Sequence, residues 1–325
     1  MRMATYLPPE APHEGSSFDL AAHGRAAVVV DVSGTEWIVD AEHGAQALRR
    51  ELPARMLQLI EAGPDAVDTL REVERAAARG RLRSQPLGDG QSSFPAELVR
   101  LLAPLPDPPS LRDFYAFEQH VRKGFERRGE EIPAPWFELP VYYKGNHRSI
   151  LGPGETIPWP SFTDELDYEL ELAMIVGRRG RDLTVAQAHE HIFGYTLMND
   201  ISARDLQRRE MQVRLGPAKS KDFATVLGPV IVTPDAVDIT DLHVTARIGD
   251  DVVTDSGTRD MRWSFAQMLS YVSIDEDVFP GDVYGSGTVA DGCGLEHGRM
   301  LASGDVVELS APGFGSLSNP VGTRP

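Results

Sequence analysis

The sequence is poor in cysteine, in basic residues and in long apolar runs, and each deficit excludes a class of protein. A single cysteine in 325 residues forbids an intrachain disulfide, so a reducing, cytoplasmic setting is expected. Only 32 lysines and arginines accompany 49 acidic residues, and this net charge of −17 argues against nucleic acid as a partner. No apolar run approaches the ~18 residues of a membrane span, and the N-terminus lacks the apolar core of a signal peptide.

Several common catalytic motifs are also missing. The sequence contains no P-loop, no strand-coupled GxGxxG, no GxSxG nucleophile elbow and no HExxH zinc helix. The balance of 41% hydrophobic and 25% charged residues is nevertheless ordinary for a globular protein that buries a sizeable core. The chemistry must therefore be sought in a less common constellation of residues.

The chain is predicted to contain two domains. Two short strands around a Ser33–Gly34 turn precede two helical segments, and Pro53 is expected to bend or restart the first of them. Four prolines between residues 104 and 109 then form a stiff connector. We place the boundary there, with a small N-terminal domain over 1–105 and a larger, strand-rich domain over 106–325.

The stretch DYELELAMIVG, residues 167–177, carries carboxylates on one side of a predicted strand. At a two-residue period Asp167, Glu169 and Glu171 share one face, whereas the opposite face is apolar throughout. Three like charges in a row favour a divalent cation, because carboxylate oxygens are the hard ligands that Mg²⁺, Ca²⁺ and Mn²⁺ prefer. The alternative is a solvated strand edge with basic neighbours.

A second polar group follows in GYTLMNDISARDLQ, where a predicted strand runs into a helix. Asp200 lies at the junction, where it could cap the helix or bind a metal. Arg204 and Gln207 follow at helical spacing and share its face. They are typical of an anion-binding or oxyanion-stabilising wall, and the alternative is a surface helix with an Asp–Arg pair.

Four segments in order, ELELAMIVG, FGYTLMNDISARDLQ, AKSKDFATVLGPVIVTPD and FPGDVYGSGT, resemble the fumarylacetoacetate hydrolase family over about residues 110–325. The resemblance implies an α+β fold, with a mixed β-roll catalytic domain and flanking helices after a small α/β N-terminal domain. It also implies a Mg²⁺ or Ca²⁺ (or Mn²⁺) bound by Glu169, Glu171 and Asp200. Asp167 falls outside that ligand set and is expected to lie behind it or to face solvent.

The upstream segment LRDFYAFEQHV resembles the fumarylacetoacetase branch of that family. The resemblance implies that Asp113 completes the metal ligands, that His120 is the general base and that Tyr115 contacts the substrate. LPVYY likewise resembles a family segment whose last tyrosine, here Tyr143, covers the substrate. From the residues alone, His120 is a histidine on a helix with an aromatic stripe (Phe114, Phe117 and Val121 at helical spacing), and such a histidine is usually a packed core residue.

Three further residues are assigned by the same resemblance. Glu296 follows the GT turn of Thr288 and is expected to orient the His120 base, whereas Thr288 itself is expected to bind substrate. In AKSKDF, the resemblance assigns to Lys219 the role of neutralising charge beside the metal and of stabilising an oxyanion. Lys221, two residues later, is a departure from the family pattern.

The resemblance implies a metal-dependent hydrolase of a carbon–carbon bond in a 1,3-diketo acid such as an acylpyruvate, in which His120 and Glu296 activate water while Arg204, Gln207 and Lys219 stabilise the oxyanion. The alternative within the family is a decarboxylase, or a tautomerase or isomerase, of 2-oxo acids from aromatic catabolism at the same metal site. A third possibility is a cation-stabilised binding protein without catalysis. The substrate would be a small molecule, and the family implies a homodimer.

Overall fold

A computed structural model describes residues 1–8, 10–82, 86–87, 90–91 and 93–325. The strands are β1 Arg2–Leu7, β2 Arg25–Val32, β3 Thr35–Asp40, β4 Pro86–Leu87, β5 Gly90–Gln91, β6 Ser93–Pro95, β7 Arg100–Leu101, β8 Leu111–Phe114, β9 Tyr142–Gly145, β10 Ile150–Leu151, β11 Leu166–Asp167, β12 Leu170–Val176, β13 Ile192–Asp200, β14 Ser202–Ala203, β15 Thr225–Val232, β16 His243–Ile248, β17 Asp251–Gly257, β18 Val283–Gly285, β19 Val306–Ala311 and β20 Gly315–Pro320. The helices are α1 Ala41–Ala47, α2 Met56–Glu61, α3 Pro64–Ala78, α4 Glu118–Arg127, α5 Val185–Glu190, α6 Arg204–Gln212, α7 Phe265–Val272 and α8 Gly294–His297. None of these helices is long and apolar enough to cross a membrane.

Twelve strands form one large mixed sheet. Its path is β6-β3-β2-β1-β15-β13-β12-β18-β8-β9, with β7 paired to β1 and β10 paired to β15. The pairs β8–β18 and β10–β15 are parallel, and the pairs along the rest of the path are antiparallel. A second, antiparallel sheet has the order β17-β16-β19-β20. Helices that flank a mixed sheet are the α+β arrangement predicted from the sequence.

The core lies on both faces of the large sheet, and strand β12 shows why. Leu172 and Met174 belong to the core cluster that also contains the second sheet, whereas Ala173 and Ile175 belong to the cluster that contains α1, α2 and α3. A strand covered on both faces must be apolar on both faces. The carboxylates of this segment are therefore confined to its N-terminal end, at the edge of the sheet where the candidate site lies.

Two local predictions can be compared with the structure. Helix α1 ends at Ala47 and α2 begins at Met56, so Pro53 lies in the break between them, as its missing N–H requires. The prediction that Phe114 belongs to a helix is wrong, because Leu111–Phe114 is strand β8 and the helix begins only at Glu118. Strand β8 hydrogen-bonds to β18 and β9, and this tertiary pairing overrides the local periodicity.

The large sheet crosses the predicted domain boundary. Strand β1 pairs with β15, with Met3 opposite Ile231, and β2 and β3 extend the sheet from β1. Helices α1 to α3 pack on one face of these strands, which gives the N-terminal segment its α/β character. The division at residue 105 remains a prediction, and the two segments share one sheet.

Candidate active site

One edge of the large sheet brings three carboxylates together. Asp113 lies near the end of β8, Glu171 near the start of β12 and Asp200 at the end of β13. Strands β12 and β13 are antiparallel, with Leu170 opposite Asn199, so the start of one lies beside the end of the other. All three side chains are buried, and one oxygen of each lies within 4.8 Å of the others.

The environment of these carboxylates suits a hard divalent cation. Burial raises the pKa of Asp113 and of Glu171 well above the usual range, and each carboxylate opposes ionisation of its neighbours. Burial also raises the pKa of Asp200, and its Oδ1 has no hydrogen-bond partner among the described residues. An orphaned, buried carboxylate oxygen beside two others is a donor set that Mg²⁺, Mn²⁺ or Ca²⁺ fits.

Backbone and hydroxyl donors fix the positions of two of these carboxylates. The Gly287 N–H donates to Asp113 Oδ1 and to Glu171 Oε2, both at 3.1 Å. Gly287 has φ +79°, and a Cβ there would lie 2.6 Å from the Phe114 carbonyl oxygen, so only glycine fits. Thr288 was predicted to bind substrate; its Oγ1 donates to Glu171 Oε1 at 3.4 Å, within the carboxylate group itself.

Glu169, the fourth predicted metal ligand, is held by cations of the protein. Arg204 Nη2 lies 2.7 Å from Glu169 Oε1, and Lys221 Nζ contacts its Oε2. Burial opposes ionisation of Glu169, but the Arg204 and Lys221 charges prevail and hold its pKa below the usual range. The structure therefore groups three carboxylates rather than four, and the ligand role of Glu169 stays a prediction.

The lysine that reaches the carboxylates is Lys221, which corrects the placement expected for Lys219. Lys221 is 4% exposed, and its Nζ lies between Glu169 and Asp200. Lys219 is exposed, and its Nζ lies 5.4 Å from the ring centroid of Phe162. The lysines are two residues apart in an irregular turn before β15, and spacing alone does not reveal which one points inward.

The Arg204 guanidinium is engaged by side chains of the protein. Its Nε donates to Asp167 Oδ2 at 2.7 Å, and its Nη1 donates to Gln207 Oε1 at 3.0 Å. Asp167 is fully buried and also accepts the Gly294 and Leu295 N–H groups, so it lies behind the ligands as one of the two expectations had it. Arg204 and Gln207 lie on the same helix, α6, and are hydrogen-bonded to each other. The helical face predicted to include Asp200 as well is wrong, because Asp200 ends β13 and the helix begins only at Arg204.

His120 and Glu296 come together from helices α4 and α8. His120 Nδ1 lies 3.3 Å from Glu296 Oε2, with side-chain exposures of 12% and 2%. The His120 ring also meets the Tyr115 ring edge-on, with centroids 5.5 Å apart. A carboxylate against one nitrogen of a histidine leaves the other nitrogen, Nε2, for proton transfer. The segment between Thr288 and Glu296 places this carboxylate against His120, and the orienting role of Glu296 stays a prediction.

The two predicted substrate-binding tyrosines border the same site. The Tyr143 hydroxyl donates to Asp200 Oδ2 at 2.7 Å. Burial and the Asp200 charge raise the pKa of Tyr143 well above its usual range, and burial raises the pKa of Tyr115 to about 12. Both phenols are therefore neutral donors at physiological pH.

Magnesium is expected to stabilise the protein more at alkaline than at acidic pH. The folded-state pKa values of Asp113, Glu171 and Asp200 are raised, so their protonated forms stabilise the cation-free fold at low pH, and this contribution is lost as the pH rises through the raised values. The cation binds only the ionised oxygens, so its own stabilisation grows over the same window.

Thermal unfolding with and without MgCl₂ measures this effect at about pH 5 and about pH 8. At 100 times Kd the cation adds about 2.7 kcal/mol to the free energy of unfolding. Glu171→Gln should abolish the shift. An equal shift at both pH values, or an equal shift in the variant, would place cation binding elsewhere.

The comparisons with known proteins agree with this architecture. Residues 110–322 match the fumarylacetoacetate (FAA) hydrolase C-terminal family, and the chain belongs to that family of enzymes. It is 29% identical over 276 residues to the oxaloacetate tautomerase YisK of Bacillus subtilis (strain 168), covering 83% of this chain and 87% of the relative. It is 30% identical over 281 residues to the mitochondrial oxaloacetate tautomerase FAHD2A of Bos taurus, covering 85% of this chain and 82% of that relative. Among solved structures, the fumarylacetoacetate hydrolase EaFAH from psychrophilic Exiguobacterium antarcticum is 29% identical, with a TM-score of 0.71 over 100% of both chains.

Sequence reasoning missed three residues that belong to the described site. Lys221, which contacts Glu169, was set aside in favour of Lys219. Gly287, whose N–H donates to Glu171, was treated only as part of a turn. Cys293 was used only for the disulfide argument, and its Sγ lies 3.7 Å from Glu296 Oε2. The GSGT pattern was the available signal for Gly287. No signal in a single sequence identifies the other two.

Proposed function

We propose that the protein is a divalent-cation-dependent tautomerase that interconverts the enol and keto forms of oxaloacetate or a similar 2-oxo dicarboxylic acid. The observation that carries the proposal is the buried group Asp113, Glu171 and Asp200 together with the His120–Glu296 pair. The chain is also similar, over most of its length, to two oxaloacetate tautomerases. These similarities favour the tautomerase alternative over the carbon–carbon hydrolase expected first from the resemblance.

The three carboxylates would hold the cation, with Mg²⁺, Mn²⁺ and Ca²⁺ all compatible with oxygen ligands. When bound, the cation supplies positive charge that favours the enolate form of a 2-oxo acid. Gly287 and Thr288 hold the carboxylates of Asp113 and Glu171 in place before any ligand arrives. Preorganised ligands reduce the cost of binding, because little side-chain freedom remains to be lost.

Lys221 contributes a second, permanent positive charge. Burial disfavours the ammonium form, but Asp200 and Glu169 outweigh burial and raise the pKa of Lys221 above its usual value. The amine is therefore charged throughout the physiological range. A fixed cation in a site that excludes water stabilises negative charge that develops on a bound 2-oxo acid.

The His120–Glu296 pair would move the proton. Tautomerisation transfers one proton between the enol oxygen at C2 and the carbon at C3, and it consumes no water. His120 Nε2 takes the proton from one position and returns it to the other, while Glu296 beside Nδ1 holds the ring orientation and stabilises the imidazolium that forms in between.

Carbon–carbon hydrolysis is the second candidate, and one observation favours it. The Exiguobacterium neighbour, named a fumarylacetoacetate hydrolase, matches the whole chain with a TM-score of 0.71. The same His120–Glu296 pair would then activate a water molecule, as such pairs do in hydrolysis. The substrate would be a 1,3-diketo acid, and the products would be two carboxylic acids or an acid and a ketone fragment.

A spectrophotometric assay tests the proposal. The purified protein with MgCl₂ is mixed with enol-oxaloacetate, and the loss of enol absorbance is followed while a coupled NADH-dependent reduction consumes the keto form. We expect an accelerated conversion without CO₂ release, abolished by EDTA and by Glu171→Gln. Pyruvate and CO₂ as products would indicate a decarboxylase instead. Cleavage of acylpyruvates or fumarylacetoacetate with no effect on oxaloacetate would establish the hydrolase.

A further inference from the structure

A second cluster of side chains that can act as metal ligands lies outside the carboxylate group and has a different chemistry. It contains His120, Cys293 and Glu296, and one ligand atom of each lies within 4.8 Å of the others. The Cys293 Sγ and the Glu296 Oε2 are 3.7 Å apart, and the His120 Nδ1 and the same Oε2 are 3.3 Å apart. The set combines a thiol, an imidazole and a carboxylate, whereas the first group is oxygen only.

The local fold presents these ligand atoms together. Cys293 immediately precedes α8, and the Glu296 N–H donates to the Cys293 carbonyl oxygen at 3.1 Å, so the two side chains are one helical turn apart. The backbone of Glu169 forms an isolated antiparallel β-bridge with Cys293, which ties this turn to the start of β12. Helix α4 brings His120 from the other side.

Two atoms in this cluster lack a partner. The Nδ1 of His120 and the Oε1 of Glu296 form no hydrogen bond among the described residues, although both are buried. The Glu296 side chain is 2% exposed, and Cys293 is fully buried. Buried polar atoms without partners cost free energy unless something binds them, so this cluster is ready for a ligand that accepts lone pairs.

We propose that His120, Cys293 and Glu296 form a site for a thiophilic divalent cation such as Zn²⁺, and that occupation of this site inhibits the enzyme. Zinc takes three protein ligands of these types and keeps a fourth position for water. In a tetrahedral complex with the usual bond lengths, neighbouring ligand atoms are roughly 3.3–3.8 Å apart, which the 3.3 Å and 3.7 Å separations match. The thiol proton passes to the buffer as the sulfur–zinc bond forms.

The inhibitory part of this inference rests on the proposed function, because it assumes that His120 and Glu296 carry the proton. A cation on Nδ1 and Oε2 separates the pair and prevents His120 from becoming positively charged. The binding part stands on the geometry alone. The two parts are therefore measured separately.

Cadmium titration of the full-length protein tests binding, with saturating MgCl₂ present to fill the oxygen site. Since Cys293 is the only cysteine, any cadmium–thiolate absorption reports this site. We expect one Cd²⁺ per chain, release of a proton to the buffer and a dissociation constant weakened roughly 100-fold in Cys293→Ser. The serine variant keeps a hydroxyl donor near Glu296, and Cys293→Ala is the second variant should serine disturb the fold.

Inhibition is then measured with Zn²⁺ at constant MgCl₂. We expect zinc to inhibit the unmodified enzyme. The Cys293→Ser variant, compared with its own activity without zinc, should resist that inhibition. Absence of the thiolate absorption, or equal Cd²⁺ affinity in Cys293→Ser, would overturn the site. Thiolate absorption without inhibition would overturn the inhibitory part only, and absence of tautomerase activity in every variant would reject the proposed function while leaving the cadmium result intact.

Discussion

Replacement of His120 by alanine is expected to lower kcat for tautomerisation by about 10³-fold, a typical contribution of a positioned general acid–base group. Magnesium affinity should remain, because His120 lies outside the group of Asp113, Glu171 and Asp200. Steady-state kinetics give the loss in kcat, and isothermal titration with MgCl₂ gives the affinity. Turnover retained in the variant would reject His120 as the proton carrier.

A matched control is available in His243, an exposed histidine whose Nε2 lies 2.6 Å from Asp255 Oδ1 on the second sheet. His243→Ala removes an imidazole with a carboxylate partner on the second sheet, outside the group of Asp113, Glu171 and Asp200. Its kinetics should match those of the unmodified protein. A loss comparable with that of His120→Ala would show that the assay responds to folding rather than to chemistry.

Glu296→Gln distinguishes a working pair from two independent residues. If Glu296 acts only through His120, the double variant should be no slower than His120→Ala alone, because groups that act as a unit are strongly non-additive. The single Glu296→Gln variant should lose activity because the imidazolium lacks its countercharge. Multiplicative losses in the double variant would contradict the pairing seen at 3.3 Å.

Replacement of Lys221 by methionine is the second large effect that we expect, and Lys219→Met is its matched control. Methionine keeps most of the aliphatic stem and removes the charge. Lys221 Nζ contacts Glu169 and Asp200, which are both buried. Loss of one partner from a buried ion pair costs about 3–5 kcal/mol of stability, and the loss of a fixed positive charge should lower kcat about 10²-fold.

The exposed lysine should behave differently. Lys219→Met removes only a cation near the Phe162 ring, so its kinetics and its melting temperature should equal those of the unmodified protein. Chemical denaturation of the magnesium-free proteins measures the stability difference. A large effect of Lys219→Met with a small effect of Lys221→Met would restore the assignment made from the sequence and contradict the structure.

The family and the fold class could be inferred from the sequence because they depend on ordered local patterns. The alternation in residues 167–177 marks a strand with acids on one face, and the four ordered segments together were specific enough to identify the family. Glu171 and Asp200 lie in two of these segments, and the residues alone already made them possible metal ligands. Asp113 came from the resemblance of the upstream segment LRDFYAFEQHV, since a lone aspartate carries no signal by itself.

The partners of these side chains could not be inferred in the same way. Glu169 and Glu171 share a strand face, yet Glu171 joins the carboxylate group and Glu169 is taken by Arg204 and Lys221. The difference arises because helix α6 and the turn before β15 approach only one end of that face. The strand β8 was likewise hidden, because its helical spacing is overruled by pairing with β18 and β9.

The sequence by itself determined the acidic, single-cysteine composition, the strand with carboxylates at its N-terminal end and the membership of an enzyme family. These features could be recognised because composition and periodicity are properties of neighbouring residues. Only the tertiary structure decided that Lys221 rather than Lys219 reaches the site, that Glu169 is ion-paired and that Cys293 stands beside His120 and Glu296. Apart from the Cys293–Glu296 contact, these contacts join residues tens to more than a hundred positions apart. They depend on how whole elements approach one another, which no local pattern records.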